Sequence, residues 1–292
     1  MQETSYSIKD LEVLSGIKAH TIRIWEKRYD LLNPQRTETN IRFYTDDDLR
    51  KILNVSLLVR HGFKISKVAR WSDEKIREAI LDLTHSGSSE SDYVDQLLMY
   101  MINFDDAGFT RVTNEVIDKM GMEEAISKVF FKLFVGIGTF WQVGSIFPAQ
   151  EHFVTNIFRQ KLIVEIDKLV MSNEKRATIL FYLPENEYHE LSLLFYSYLA
   201  QKYGYHVIYL GQTVPFDDLK KIGTQIQIDY IFSAFIHSVE KEELENYLNE
   251  LKKLFSHQKI FVTGGQIQHY NPQLPRIVKV IKDYHDFKKY LL

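Results

Sequence analysis

The sequence predicts a multidomain protein that combines all-helical parts with an α/β part, because its hydrophobic pattern changes along the chain. Residues 1–76 have the pattern of short helices with one small β-ribbon, and residues 92–172 that of four amphipathic helices. In residues 173–292, short apolar runs alternate with helical segments. A polar run, THSGSSES, begins at Thr84 and predicts a linker over residues 77–91.

The composition limits the classes of protein that the chain can belong to. It has 292 residues, of which 45% are hydrophobic and 26% charged, as expected for a globular protein with room for several cores. It has no cysteine, which excludes disulfides, thiolate catalysis and Cys-based zinc sites. No apolar run reaches 18 residues and no secretory leader is evident, so we expect a cytoplasmic protein with no membrane partner.

The first segment has the pattern of a DNA-binding head. Ser7 is a predicted N-cap, and a second helix is predicted over residues 19–29. One face of that helix is apolar, and the opposite face carries His20, Ile24 and the basic residues Arg23 and Lys27. Residues 1–76 hold 14 Lys and Arg against 11 Asp and Glu, whereas the rest of the chain is acidic. A basic face on a second helix can reach base edges or phosphates in the major groove.

The string TIRIWEKRYDLLNPQRTETNIRFYTDDDLRKI resembles the winged helix-turn-helix of MerR-family regulators across about 70 residues. The resemblance implies a sequence-specific regulator that binds double-stranded operator DNA. Six residues match positions that contact DNA in that family: Thr21, Arg23, Arg28, Arg36, Arg42 and Tyr44. Asp30 stands where the family often has Gly. This difference could alter the turn before the wing, but it does not change the assignment.

The second segment ends in an unusual stretch, FWQVGSIFPAQEHF, at residues 140–153. Gly144 and Pro148 interrupt the helical pattern and predict a bend between two helices of a four-helix bundle. The bend would bring Trp141 back towards Glu151 and His152. A tryptophan that only caps a helical core is the alternative, which the pattern alone leaves open.

The third segment predicts a Rossmann-like, flavodoxin-like parallel sheet. Its apolar runs, at 177–183, 206–211, 229–235 and 259–265, are the expected strands, with amphipathic helices between them. Ligands of such sheets bind at the carboxyl ends of the strands. His189 follows the first strand at that end, and an imidazole there can serve as a metal ligand or as an ordinary polar loop residue.

The series E-x-H-E-L-S, YLGQTVP, Ser233-Ala-Phe and Gly264-Gly265 resembles that of cobalamin-binding domains. The resemblance implies that His189 is the lower axial ligand of cobalt and that Glu187 orients it. Ser192, Ser233, Gly264 and Gly265 then match the part that accommodates the nucleotide tail of the cofactor. Three residues depart from the family pattern: Glu187 replaces Asp, Ser192 replaces Gly, and Phe235 replaces Leu. The last two could narrow the tail pocket.

Taken together, the three segments resemble the adenosylcobalamin-dependent repressors of the CarH/LitR type, whose bundle covers the upper face of the cofactor. The resemblance implies that Trp141, Glu151 and His152 contact the adenosyl group. It also implies a homo-tetramer on DNA in the dark, ligand-bound state, and a monomer or dimer otherwise. Those light sensors carry a His directly after the Trp; here it is Gln142, so control by light is left open.

Two other classes of function are weighed against this one. A MerR-type repressor that keeps the fold but acts without cobalamin, or senses another ligand, is supported by the substitutions at Ser192, Phe235 and Gln142. An enzyme is not expected, because no catalytic barrel or substrate domain fits beside the DNA-binding head. A zinc hydrolase built from Glu151, His152 and His189 lacks the His-Glu-x-x-His spacing.

Overall fold

The structure is a computed structural model that describes residues 6–36, 40–60, 62–84, 90–142, 148–169, 176–237, 239–270, 272 and 274–292. The chain divides into two compact units, residues 1–157 and residues 158–292, and each is described by itself. None of the described helices is long and apolar enough to cross a membrane.

The first unit opens with short helices around a two-stranded ribbon. Its elements are α1 (Ile8–Ser15), α2 (Ala19–Tyr29), β1 (Gln35–Arg36), β2 (Arg42–Phe43), α3 (Asp46–Arg60), α4 (Ile65–Val68) and α5 (Asp73–Thr84). The predicted N-cap is confirmed, since the Ser7 hydroxyl accepts from the amide of Asp10 while the Asp10 carboxylate accepts from the amide of Ser7. The strands β1 and β2 pair antiparallel, as the ribbon prediction required.

The predicted linker is wrong over its first part. Residues 77–84 continue α5, because Ile76 and Ala79 are buried one helical turn apart and hold this face of the helix against the core. Residues 85–89 lie outside the described residues, and the next helix begins at Glu90.

The rest of the first unit is helical and continues into the second. Its elements are α6 (Glu90–Ile102), α7 (Asp106–Ala125), a π-helical turn (Ile126–Phe130), α8 (Phe131–Gln142) and α9 (Pro148–Asp167). The four helices predicted from the 3–4 spacing of apolar residues are therefore present. The helix α8 ends at Gln142, and α9 begins at Pro148, where proline is favoured in the first turn of a helix. The predicted bend falls on residues 143–147, which lie outside the described residues.

The second unit is a parallel sheet between helices. Its elements are β3 (Thr178–Pro184), α10 (Glu190–Lys202), β4 (His206–Val214), α11 (Phe216–Gln225), β5 (Tyr230–Ala234), α12 (Lys241–Leu254), β6 (Lys259–Thr263), α13 (Gly265–Tyr270), β7 (Val278–Val280) and α14 (Tyr284–Leu291). The strand order is β4-β3-β5-β6-β7, with every pair parallel. This is the flavodoxin-like order, so the predicted fold class is confirmed.

The helix α10 differs from its predicted pattern. It was expected to be amphipathic, but every residue from Leu193 to Ala200 is buried. The sheet covers one side, and aromatic contacts with α14 cover another, where the rings of Tyr196 and Phe287 meet edge to face at 5.3 Å. A helix covered on both sides is apolar all round, so its sequence shows only a weak amphipathic period.

Candidate functional site: a DNA-binding surface and a histidine at the edge of the sheet

The helix α2 separates its two faces as predicted. Ile22 and Trp25 are buried, whereas the opposite face is exposed and carries His20, Arg23, Ile24, Lys27 and Arg28. Thr21 is half-buried at the first turn. The exposed face is therefore basic with one apolar side chain, a composition suited to phosphates and base edges.

The arginines of the ribbon are exposed, whereas its tyrosine is buried. Arg36 and Arg42 are exposed, and the Arg36 guanidinium donates to the side chain of Asn40 at 2.6 Å, across the ribbon. Tyr44 was expected to contact DNA, but its side chain is buried and its hydroxyl donates to Glu26 at 2.5 Å. Burial first, and then the Glu26 carboxylate, raise the pKa of Tyr44. This contact joins the ribbon to α2, so Tyr44 positions the two elements in this structure.

The end of α9 that was predicted to face the cofactor is described in part. Glu151 is half-buried and His152 is exposed, both in the first turn of the helix. Phe153 anchors this turn through edge contacts with Phe104 and Phe109 at 5.5 and 6.0 Å. Trp141 belongs to the last turn of α8, but its side chain and that of Gln142 lie outside the described residues.

His189 occupies the position predicted for it, between the carboxyl end of β3 and the start of α10. It is the N-cap residue of α10, and its side chain is 53% exposed. Nδ1 of its ring lies 2.5 Å from Oε1 of Glu187, which also accepts from the His189 amide at 3.1 Å. The carboxylate fixes the orientation of the ring and holds the proton on Nδ1, so Nε2 is the nitrogen suited to bind a metal.

Glu187 is held by backbone donors on its other side. Its Oε2 accepts from the amides of Ile236 at 2.7 Å and His237 at 2.6 Å, in the loop after β5. Burial by itself raises the pKa of a carboxyl group, but the imidazole and these amides outweigh it and lower the pKa of Glu187 to about 2. The group is therefore a buried carboxylate that ties two loops at the carboxyl edge of the sheet to the imidazole.

The residue after the histidine joins two further elements. The Glu190 carboxylate accepts from the Tyr209 hydroxyl of β4 at 2.9 Å and from the Arg159 guanidinium of α9 at 2.7 Å. No sequence signal singled out this set, because its members lie 19 and 31 residues from Glu190. The donor amides of Ile236 and His237 were missed for the same reason, since a backbone amide carries no residue signature.

Three of the four residues predicted to accommodate the nucleotide tail are closely packed. The hydroxyls of Ser192 and Ser233 are buried and make no hydrogen bond of ordinary geometry. Gly264 has φ +114°, and a Cβ there would lie 2.1 Å from the carbonyl oxygen of Phe235. Glycine at 264 is thus required by the close packing of two loops.

We expect Gly264→Ala to lower the free energy of unfolding by about 3 kcal/mol or more, since it combines a strained φ with a backbone clash. Gly265→Ala is the matched control, because a Cβ at 265 meets nothing within 4 Å. Urea unfolding followed by circular dichroism measures both. Equal stabilities of the two variants would contradict the packing argument.

The comparisons with known proteins identify two parts of the chain. Residues 6–75 match the family model of the MerR HTH family regulatory protein, and residues 93–164 match that of a B12 binding domain. The chain is a DNA-binding regulator with a MerR-type helix-turn-helix and a B12-binding domain. These matches confirm the predicted fold class and the predicted likeness to MerR-type and cobalamin-binding proteins. They support cobalamin as a ligand and double-stranded DNA as a partner.

Two relatives match this MerR-type regulator over most of its length. It is 27% identical over 259 residues to the HTH-type transcriptional repressor CarH of Myxococcus xanthus, covering 87% of this chain and 86% of that protein. It is 23% identical over 267 residues to the repressor CarA of the same organism, covering 90% and 88%. Both relatives are transcriptional regulators, which supports the expectation that the chain is not an enzyme.

A solved structure shares the fold. The monomethylamine corrinoid protein of Methanosarcina barkeri matches with a TM-score of 0.55 and 15% identity, over 70% of this chain and 99% of that one. At this identity the likeness concerns the fold alone.

Proposed function

We propose that this regulator is a transcriptional repressor whose operator binding and oligomeric state are controlled by adenosylcobalamin. The proposal goes beyond a cobalamin-linked DNA-binding regulator in naming repression, the adenosyl form and a change of assembly. Its support is the likeness to CarH and CarA, together with the residues at the carboxyl edge of the sheet.

One observation carries the proposal: the imidazole of His189 is oriented by the buried carboxylate of Glu187 at the ligand-binding edge of a flavodoxin-like sheet. A carboxylate–imidazole pair of this kind is typical of a metal ligand. Among the described residues, no group of three or more His, Cys, Asp or Glu side chains could hold a metal ion. One oriented imidazole would suit a metal whose other ligands are supplied by its own cofactor.

The residues of the chain then have separate roles. Nε2 of His189 would bind the metal, and Glu187 would hold the ring and its proton. When bound, adenosylcobalamin supplies a cobalt centre with a light-sensitive bond to carbon. Trp141, Glu151 and His152 are proposed to contact the adenosyl group, and the amide of Gln142 would be a poorer ligand for cobalt than the imidazole at that position in typical light sensors.

The DNA-binding surface is assigned to α2 and the ribbon. Arg23, Lys27 and His20 are exposed on α2, and Arg36 and Arg42 on the ribbon. The first set is suited to reading the major groove, and the second to holding the phosphate backbone. The ligand-bound dark state is proposed to be a homo-tetramer on the operator, and the ligand-free state a monomer or dimer.

The test is incubation of the purified chain with adenosylcobalamin in darkness, followed by gel filtration with absorbance at two wavelengths. We expect a corrin spectrum to travel with the protein and the protein to elute as a larger species. The same sample should bind an operator fragment selected from genomic DNA. Retention of no corrin would contradict the proposal, and operator binding without corrin would favour the repressor that senses another ligand.

The DNA surface has its own test in Arg23→Ala. We expect it to weaken operator binding by about 1–3 kcal/mol without changing corrin uptake, because Arg23 lies on the exposed face of α2. Lys75→Ala is the control, since it removes one exposed positive charge from α5. Titration of labelled operator at one fixed salt concentration measures both. Equal affinities of the two variants would contradict the assignment of this face.

A further inference from the structure

Tyr182 occupies the part of the sheet where the nucleotide tail of cobalamin is expected. It pairs in register with Ser233 of β5 on one side and with Gly211 of β4 on the other. Neighbouring residues in parallel register point to the same face of a sheet. Tyr182 and Ser233 both have no exposed surface, so no water-sized space remains beside the Ser233 hydroxyl.

Tyr247 and Phe235 pack over the Tyr182 side chain on the same face of the sheet. The Tyr247 hydroxyl, on α12, donates to the Tyr182 hydroxyl at 3.1 Å. The Tyr247 ring meets Phe216 at 5.4 Å and Phe235 at 5.7 Å, both edge to face. We call Tyr182, Phe235 and Tyr247 the aromatic cluster.

The aromatic cluster is part of the hydrophobic core. It packs with apolar side chains of β5, β6 and α12, among them Ile231, Val262 and Leu248. Burial is the main cause that raises the pKa of Tyr182 and of Tyr247. Both phenols are therefore neutral and hydrogen-bonded, so displacing them costs packing and at least one buried hydrogen bond.

The packing next to Ser233 leaves no space for a nucleotide tail. A tail that entered here would have to displace Phe235 or Tyr247, each of which fills core volume. His189 and Glu187, by contrast, lie at the edge of the sheet, and the hydrogen bonds that hold them involve no residue of the aromatic cluster. The structure thus fits the lower ligand of a corrinoid and does not fit a buried tail.

We propose that this regulator binds corrinoids through the ring and the metal, with the nucleotide tail outside the aromatic cluster, so that it accepts corrinoids that lack the tail. The inference rests on the proposed function, because it assumes that a corrinoid binds. Free cobalamin carries the base of its own tail on cobalt, and His189 has to replace that base. A tail-less corrinoid has no base to replace and loses no buried contact, so it binds at least as tightly.

The experiment titrates the full chain with adenosylcobinamide, which has no nucleotide tail, and with adenosylcobalamin, both in darkness and followed by absorbance and calorimetry. We expect cobinamide to bind with an equal or lower Kd. A Kd for cobinamide about tenfold or more above that for cobalamin would overturn the inference and leave the proposed function standing. Binding of neither corrinoid would overturn both.

A variant makes the role of the aromatic cluster explicit. Phe235→Leu with Tyr247→Ala opens space beside Ser233 and should lower the Kd for cobalamin relative to that for cobinamide. Tyr290→Ala, on α14 and outside the cluster, is the control and should leave the ratio unchanged. An unchanged ratio in a double variant that unfolds cooperatively would count against the inference, and the wild-type titration decides the matter if the variant does not fold.

Discussion

Glu187→Gln is expected to prevent stable corrinoid binding and to lower the free energy of unfolding of the second unit by about 2–3 kcal/mol. Glutamine has the shape of glutamate, so the effect comes from hydrogen bonding alone. In the native chain every group that faces the carboxylate is a donor: the amides of Ile236 and His237 on one oxygen, and the amide and ring of His189 on the other.

A glutamine at 187 cannot satisfy both sides, because its amide group is a donor. If its oxygen faces the loop amides, the NH₂ group faces the His189 backbone and donates to Nδ1, which moves the ring proton to Nε2. In that tautomer Nε2 carries the proton and has no lone pair for a metal, and the lone pair of Nδ1 is taken by the glutamine. If the side chain is reversed, two backbone donors face a third donor in a buried site.

Glu185→Gln is the matched control, since residue 185 is exposed in the same loop. Urea unfolding measures stability, and the absorbance of adenosylcobalamin retained after gel filtration in darkness measures binding. Wild-type stability and wild-type retention in Glu187→Gln would show that the carboxylate does not set the state of the imidazole.

His189→Ala is expected to abolish corrinoid retention while leaving the fold and the operator affinity of the apo form unchanged. The side chain is about half exposed and caps α10 without a side-chain hydrogen bond to the helix, so its removal leaves no cavity. Its removal also takes away the nitrogen proposed to bind the metal, and the loss should be larger than the 10–100-fold typical of residues that only orient a ligand.

Two additions sharpen this experiment. His257→Ala removes another exposed histidine of the second unit and should bind corrinoid as the wild type does. Free imidazole added to His189→Ala should restore part of the binding, because it supplies the missing nitrogen without the missing link to the chain. Full retention of corrinoid by His189→Ala would exclude this histidine as the ligand.

Much of the fold follows from local patterns in the sequence. The sheet is predictable because β3 and β5 are buried on both faces and appear as continuous apolar runs. The helices of the first unit are predictable from capping and from apolar spacing, as at Ser7 and along α2. One short strand of the sheet was not predicted: β7 has three residues and pairs with β6.

The candidate site was predictable in its residues but not in its supports. The motif E-x-H places Glu187 two residues before His189, and the short loop lets one carboxylate reach both the ring and the amide of the histidine. The amides on its other side come from residues 49 and 50 positions away, which only the tertiary fold brings together.

The tail site shows why motif positions are not sufficient. Ser233 and Gly264 stand at the family positions. Ser233 is nevertheless fully buried, and a side chain at 264 would clash with the carbonyl oxygen of Phe235. Phe235 was recognised as a larger residue than the family pattern has. The contribution of Tyr182 and Tyr247 was not, because it depends on register between strands and on the placement of α12.

The most direct test is electron paramagnetic resonance of the chain loaded with the cobalt(II) corrinoid, prepared with ordinary histidine and with histidine labelled with the heavy nitrogen isotope. Coordination by His189 predicts that the nitrogen splitting of the cobalt lines changes from triplets to doublets on labelling, and that the change is lost in His189→Ala. An unchanged triplet would mean that the base of the cofactor, not the imidazole, holds the metal.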